Sequence, residues 1–120
     1  MGVKQSSTLF SWHHALIFLV YDQAIGARVL FRGPSTGAEH YLVRYPPGLQ
    51  AQAHRHSAAH TFIVLEGVLE ANGEQLGPGS YCHFPAGTVM HHAPAGDEGG
   101  LFVAIFDGPQ DVIPVAGPPQ

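Results

Sequence analysis

The sequence predicts an all-β fold, a single domain built as an antiparallel sandwich or barrel. Short apolar segments recur along the chain, separated by turns of Gly, Pro, Asn and Asp, and no stretch sustains the period of a helix. Composition agrees: 15 Gly and 10 Pro in 120 residues, with only 12% charged, suit strands joined by tight turns better than long helices. A chain of 120 residues makes one core, burying roughly two thirds of its unfolded surface.

Taken in order, the N-terminal segment 9–31 holds an apolar run at 15–20. The run is too short to span a bilayer, which takes about 20 residues, and His13, His14 and Asp22 are out of place in a secretion signal. It reads as a buried first strand or a segment packed against a second subunit, with His13 and His14 at a strand end or on the surface. Residues 28–31 form a short strand, and Gly33-Pro34-Ser35-Thr36-Gly37 a loop. From 39 to 45 the faces alternate, with His40, Leu42 and Arg44 on one side and Tyr41, Val43 and Tyr45 on the other. His40 or Arg44 facing a substrate is one reading of that pattern, and a half-exposed strand is the plainer one. Pro46-Pro47-Gly48 ends the strand in a turn with Gly at positive φ. Beyond a buried strand at 61–65, Gly67 bends the chain into 68–71, and Asn72-Gly73 makes a hairpin with 74–76 as its returning arm. Gly77-Pro78-Gly79 is another turn, 80–84 a strand ending at Pro85, 97–100 a loop, 101–106 a buried strand and Asp107-Gly108-Pro109 a turn. The tail, 108–120, is expected to lie extended over the surface or to fray.

Charge and cysteine exclude several functions. A net charge of −4 gives no reason to expect nucleic acid or an anionic membrane as partner. The single Cys82 rules out an intramolecular disulfide and, without an export signal, points to a reducing cytoplasm. Its neighbour His83 faces the other side of a strand, so no thiol–imidazole pair forms, and phosphate loops and Cys-rich zinc motifs are absent.

The chemistry sits between Gly48 and Gly67. His54 and His56, one residue apart on an extended segment, put both imidazoles on one face, and His60 reaches the same point if the small residues Ser57, Ala58 and Ala59 allow a turn. Neutral imidazoles converging from adjacent strands make a transition-metal site. Nine histidines in the chain make some clustering unremarkable. A merely His-rich surface, however, predicts random spacing, without the glycines and Pro85-Ala86-Gly87 set around the cluster.

Those spacings resemble the cupin superfamily. Its first motif, G-x5-H-x-H-x3-E-x6-G, is met by Gly48, His54, His56, His60 and Gly67, with His60 standing where the family usually has Glu. Its second, G-x5-P-x-G-x2-H, is approached by Gly79, Pro85 and Gly87, followed by His91-His92 one or two residues late. The resemblance covers about 41–106 and looks most like small single-domain cupins related to anti-sigma-factor sensor domains and diketone dioxygenases. It implies a double-stranded β-helix, or jelly-roll barrel, with its core at about 39–107. It also implies a divalent transition metal on His54, His56, His60 and one histidine of the second motif. Strand parity from Pro85 favours His92, and His91 is the register alternative. His83, before the turn, is a weaker candidate.

Four neutral imidazoles would leave the full charge of a divalent ion in place, favouring an anionic ligand such as an enolate, a carboxylate or a deprotonated catechol. Iron(II) is favoured by the resemblance; manganese, nickel and zinc accept the same donors. Apolar walls are expected from Phe62, Val64, Phe84, Phe102, Ala104 and Phe106, residues that a small barrel also needs as filling. The resemblance therefore implies an oxygenase-type enzyme for an enolisable or hydroxylated carbonyl compound. The alternatives are a non-catalytic metal- or small-molecule-sensing cupin, or an isomerase or lyase whose base would be Tyr41, Tyr45 or His91. The partner is then a small-molecule substrate or ligand, and pairing through the N-terminal segment makes a homodimer the expected assembly.

Overall fold

A computed structural model describes residues 21–115. The expected strand at 15–20, His13, His14, the subunit-pairing segment and the last residues of the tail lie outside the described residues. All regular structure among the described residues is β: β1 (Gly26–Arg32), β2 (Glu39–Tyr45), β3 (His54–Arg55), β4 (His60–Ala71), β5 (Glu74–Leu76), β6 (Tyr81–Phe84), β7 (His92–Phe106) and β8 (Ile113–Pro114). The main sheet runs β1-β2-β7-β4-β5, with β6 also paired to β4, and β3 pairs with β8 as a second, two-stranded sheet. Every named pairing is antiparallel, and the arrangement is a jelly-roll barrel with its sheets not fully closed. No helix of the described residues is long and apolar enough to cross a membrane.

Turn chemistry closes the strands as the residues dictate. Asn72 and Gly73 both take positive φ, 47° and 90°, which is the type I′ geometry that joins Ala71 to Glu74. Pro47 and Gly48 form the bend after β2, closed by Leu49 N–H donating to Pro46 O. Pro85 O likewise accepts from Thr88 N–H, and Gly87 N–H donates to His56 O, so the second turn is tied to the histidine segment.

Two bulges decide which side chains face inward. Between Val29 and Phe31 the pairing of β1 with β2 slips, so Leu30 is skipped and alternation reverses. Ala27, Val29 and Arg32 therefore face one side, while Phe31 is 50% exposed and packs on His40. A second slip in β4 skips Leu65 between Val64 and Glu66. His60, Phe62 and Val64 point inward before it, and Leu69 and Ala71 after it.

β7 departs from the expected loop-then-strand at 97–106. It is one strand from His92 to Phe106, with Gly96, Asp97, Glu98 and Gly99 left over where β4 steps from Gly67, paired to Gly100, to Val68, paired to Ala95. Gly67 (φ 76°) lies so close to this detour that a Cβ there would stand 2.3 Å from Gly99 O. β6 begins at Tyr81, one residue later than expected. The tail is also more ordered than expected: Ile113 and Pro114 pair with Arg55 and His54.

Candidate metal centre

Each histidine of the cluster is delivered by a different local device. His54 is held in β3 between Pro114 and an isolated bridge to Met90, whose backbone exchanges both hydrogen bonds with it. His56 follows on the same face before the bend at Ser57 and Ala58, and His60 opens β4 opposite Phe84 and Phe106. His92 opens β7 opposite Ala71, and since directly paired residues share a face, it turns inward with that buried alanine. His91, by contrast, exchanges hydrogen bonds with Asn72 at the hairpin turn, and its ring lies toward Glu70, Nδ1 3.7 Å from Oε1. His83 hydrogen-bonds Thr61 Oγ1 through Nδ1 at 3.0 Å, outside the cluster.

The structure brings together one ring nitrogen from each of His54, His56 and His92, all within 4.8 Å of one another. His60 stands beside this trio rather than within it. Its ring centroid is 4.6 Å from that of His56, and the ring is sandwiched between Phe84 at 5.0 Å and Phe106 at 4.9 Å. All four residues are buried, with exposures of 0–4%.

Hydrogen bonding sorts the ring nitrogens. Nδ1 of His54 donates to Gln52 O at 2.9 Å, that of His56 to Asp111 O, and that of His60 to Ala58 O at 3.4 Å. A carbonyl only accepts, so each Nδ1 carries the proton and Nε2 keeps a free lone pair. Among the described residues, Nε2 of His54, His60 and His92 is buried and meets no partner. An unsatisfied buried acceptor costs about 1–3 kcal/mol, and a divalent ion is the partner that would satisfy several at once. Neutrality is enforced too: burial holds His54 and His60 down to about pKa 4, lowers His56, and puts His92 well below its ordinary value. The donor set therefore fits a transition metal, and His54, His56 and His92 could hold it.

Beside the trio lies a cavity of about 430 Å³. Phe62, Phe102, Ala104 and Phe106 line it, while Val64 and Phe84, expected there, do not. Phe84 stacks on His60, which is itself outside the lining, and Val64 stands at the Leu65 bulge; both belong to the core cluster. From β2 the lining residues are Tyr41, Val43 and Tyr45. His40 and Arg44, the other substrate-facing option, are on the outer face, Arg44 paired with Glu66 at 3.7 Å.

Sequence reasoning missed four contributors, Tyr21, Gln110, Asp111 and Val112. Tyr21 lines the cavity, its hydroxyl 2.6 Å from that of Tyr45, which in turn is 2.6 Å from His92 Nδ1. Gln110 and Val112 line it from the tail. Asp111 ties that tail down, accepting from Ser57 N–H at 2.8 Å and Ser57 Oγ–H at 2.5 Å while its carbonyl accepts from His56. The sequence carried one signal for this, a lone Asp in an apolar tail.

The chain belongs to the ChrR cupin-like family, whose family model matches residues 11–111. Among solved structures it resembles a candidate acetylacetone dioxygenase from Methylibium petroleiphilum PM1, with a TM-score of 0.74 at 17% identity over 95% of this chain and 82% of that one. A cupin-like protein from Thermotoga maritima MSB8 superposes with a TM-score of 0.73 at 19% identity, over 91% and 90% of the two chains. The acetylacetone dioxygenase of Acinetobacter johnsonii does so with a TM-score of 0.71 at 18% identity, over 88% and 72%. No curated protein sequence matches the chain. At these identities the structural likeness speaks for the fold.

Proposed function

We propose that the protein is a metal-dependent cupin enzyme of oxygenase type, acting on a small enolisable or hydroxylated carbonyl compound. One observation carries the reading: among the described residues, Nε2 atoms of His54, His60 and His92 are buried without partners, in a cluster whose His56 and His92 line a cavity walled largely by apolar side chains. His54, His56 and His92 would hold the ion, and His60, which stands beside that trio with its own Nε2 unpartnered like those of His54 and His92, would be the fourth donor. A divalent ion on uncharged imidazoles supplies Lewis acidity, which favours an anionic oxygen ligand such as an enolate. Iron(II) is the metal proposed.

The remaining parts of the site follow from the chain. Phe62, Phe102 and Phe106 exclude water and receive the apolar body of the substrate. Arg32, exposed and lining the cavity, marks its wet end beside Tyr41, whose hydroxyl donates to Glu39 Oε1 at 2.5 Å. The resemblance of the motifs to cupins related to anti-sigma-factor sensor domains leaves a second reading, a sensing cupin that binds metal without turnover.

Elemental mass spectrometry of untagged protein purified without added metal tests both readings. Near-stoichiometric iron, manganese or nickel, lost in a His54→Ala/His56→Ala double variant, together with oxygen uptake on diketones or hydroxyketones, is the expected result. Tight zinc and no turnover would favour the sensor. Absence of metal even after reconstitution would sink both.

A further inference from the structure

His92 differs from the other three histidines in the partner of its Nδ1. Theirs are carbonyls, which fix the proton on Nδ1 whatever occupies the site. Its own is the Tyr45 hydroxyl at 2.6 Å, with the two rings within 4° of parallel, and a hydroxyl can donate or accept. Tyr45 Oη lies a further 2.6 Å from Tyr21 Oη, so the three groups form a chain of two short hydrogen bonds with no direction of its own.

Occupancy of His92 Nε2 supplies the direction. With Nε2 bonded to an ion, Nδ1 carries the proton and donates to Tyr45. The one hydrogen of Tyr45 then goes to Tyr21, which accepts it. The hydrogen of Tyr21 is left with no acceptor among the described residues, on a side chain that lines the cavity. Its ring centroid is 6.2 Å from that of His54 and 6.3 Å from that of His92, beside the cluster. A phenol, with an ordinary pKa of about 10, keeps its hydrogen at neutral pH and so has one to give.

Resting on the metal reading above, we infer that Tyr21 is a specificity-determining hydrogen-bond donor to the ligand in the cavity, turned toward it when His92 binds the ion. The ligand class this selects has two nearby oxygens, one for the ion and one for Tyr21, on an apolar frame: the enolate of a β-dicarbonyl, or a hydroxyketone. Tyr45 is a positioning residue, acting through His92.

The test uses cobalt(II)-loaded protein, whose visible bands report ligand binding, with pentane-2,4-dione as the two-oxygen probe and azide as a probe without oxygen. Tyr21→Phe is expected to bind cobalt and azide as wild type does, and the dione about 10-fold more weakly, the loss of one hydrogen bond to a charged acceptor. Tyr45→Phe is expected to weaken cobalt binding itself by about 10-fold. Dione binding unchanged in Tyr21→Phe, or azide weakened equally, would overturn the assignment. A measurement on wild type needs no variant: nitrogen-15 NMR of the zinc-loaded protein should show His92 protonated at Nδ1, and a bare Nδ1 would also overturn it. Failure of wild type to bind cobalt or zinc at all would instead strike the metal reading beneath it.

Discussion

A neutral imidazole buried with one nitrogen satisfied and the other bare is a poor element of a core and a good ligand. His54, His56, His60 and His92 all have folded pKa values below the ordinary 6.5, with His54 and His60 at about 4, burial being the first cause in each. The sign follows. Between the folded values and 6.5 the unfolded chain binds more protons than the native one, so stability rises with pH across that window. It is fully present above about 6.5 and is lost as pH falls toward 4. Asp111, lowered in the folded state, acts with its own loss only below its ordinary 3.8 and does not overlap. A depression from 6.5 to about 4 is worth on the order of 3 kcal/mol for each of His54 and His60, a large part of a typical domain's 5–15 kcal/mol. Metal-free protein should therefore hold its urea midpoint from pH 8 to 7 and lose it steeply from 6.5 to 4.5, followed by circular dichroism. A midpoint flat down to pH 5 would mean the imidazoles are solvated.

At the scale of elements, the bulges and the register slips do what alternation alone does not reveal. The strands, the Asn72-Gly73 hairpin and the turns at Gly48 and Gly87 were legible in the sequence because each rests on local chemistry: a positive φ, a fixed proline φ, a run of β-branched or aromatic residues. The cupin motifs made the histidine cluster legible in the same way. What was not legible depends on pairing partners. Skipping Leu30 puts Arg32 rather than Phe31 on the cavity side, skipping Leu65 reverses β4, and four residues of β7 are left unpaired against the Gly67–Val68 step of β4 instead of forming a separate loop. The Tyr21–Tyr45–His92 chain and the Asp111 tie are built from hydrogen bonds between residues 24 to 55 apart in sequence, which no spacing rule reports. Gly67 sits where these effects meet. A Cβ there meets Gly99 O at 2.3 Å, backbone that cannot swing aside, whereas at Gly73, also at positive φ, nothing lies within 4 Å. Gly73→Ala should cost about 1–2 kcal/mol, the left-handed penalty alone; Gly67→Ala should cost about 3 kcal/mol or more by adding the clash. Equal losses in urea denaturation would show that β4 and β7 part easily at this crossing.

For the whole molecule, a bound ion would join elements that the chain leaves far apart. His54 enters from the small β3–β8 sheet and His92 from the start of β7 in the main sheet, and apart from the Met90 bridge little backbone pairing connects the two near the site. An ion that binds the native arrangement and not the unfolded chain stabilises by mass action, about 2.7 kcal/mol at a hundredfold excess over Kd. For a chain of this size that is a rise in Tm of roughly 10 °C. Exposed histidines could also bind added metal, and pH separates the two cases. Surface imidazoles protonate near 6.5 and release metal there. The buried cluster is already neutral, with His54 and His60 remaining so down to about 4, so protons barely compete with the ion until well below pH 6. Scanning calorimetry with metal and with chelator should thus give two Tm curves that fall together as pH drops from 7 to 5.5, keeping a nearly constant gap. A gap that closes near pH 6.5 would assign the binding to surface histidines, and no gap at any pH would remove the ion from the account altogether.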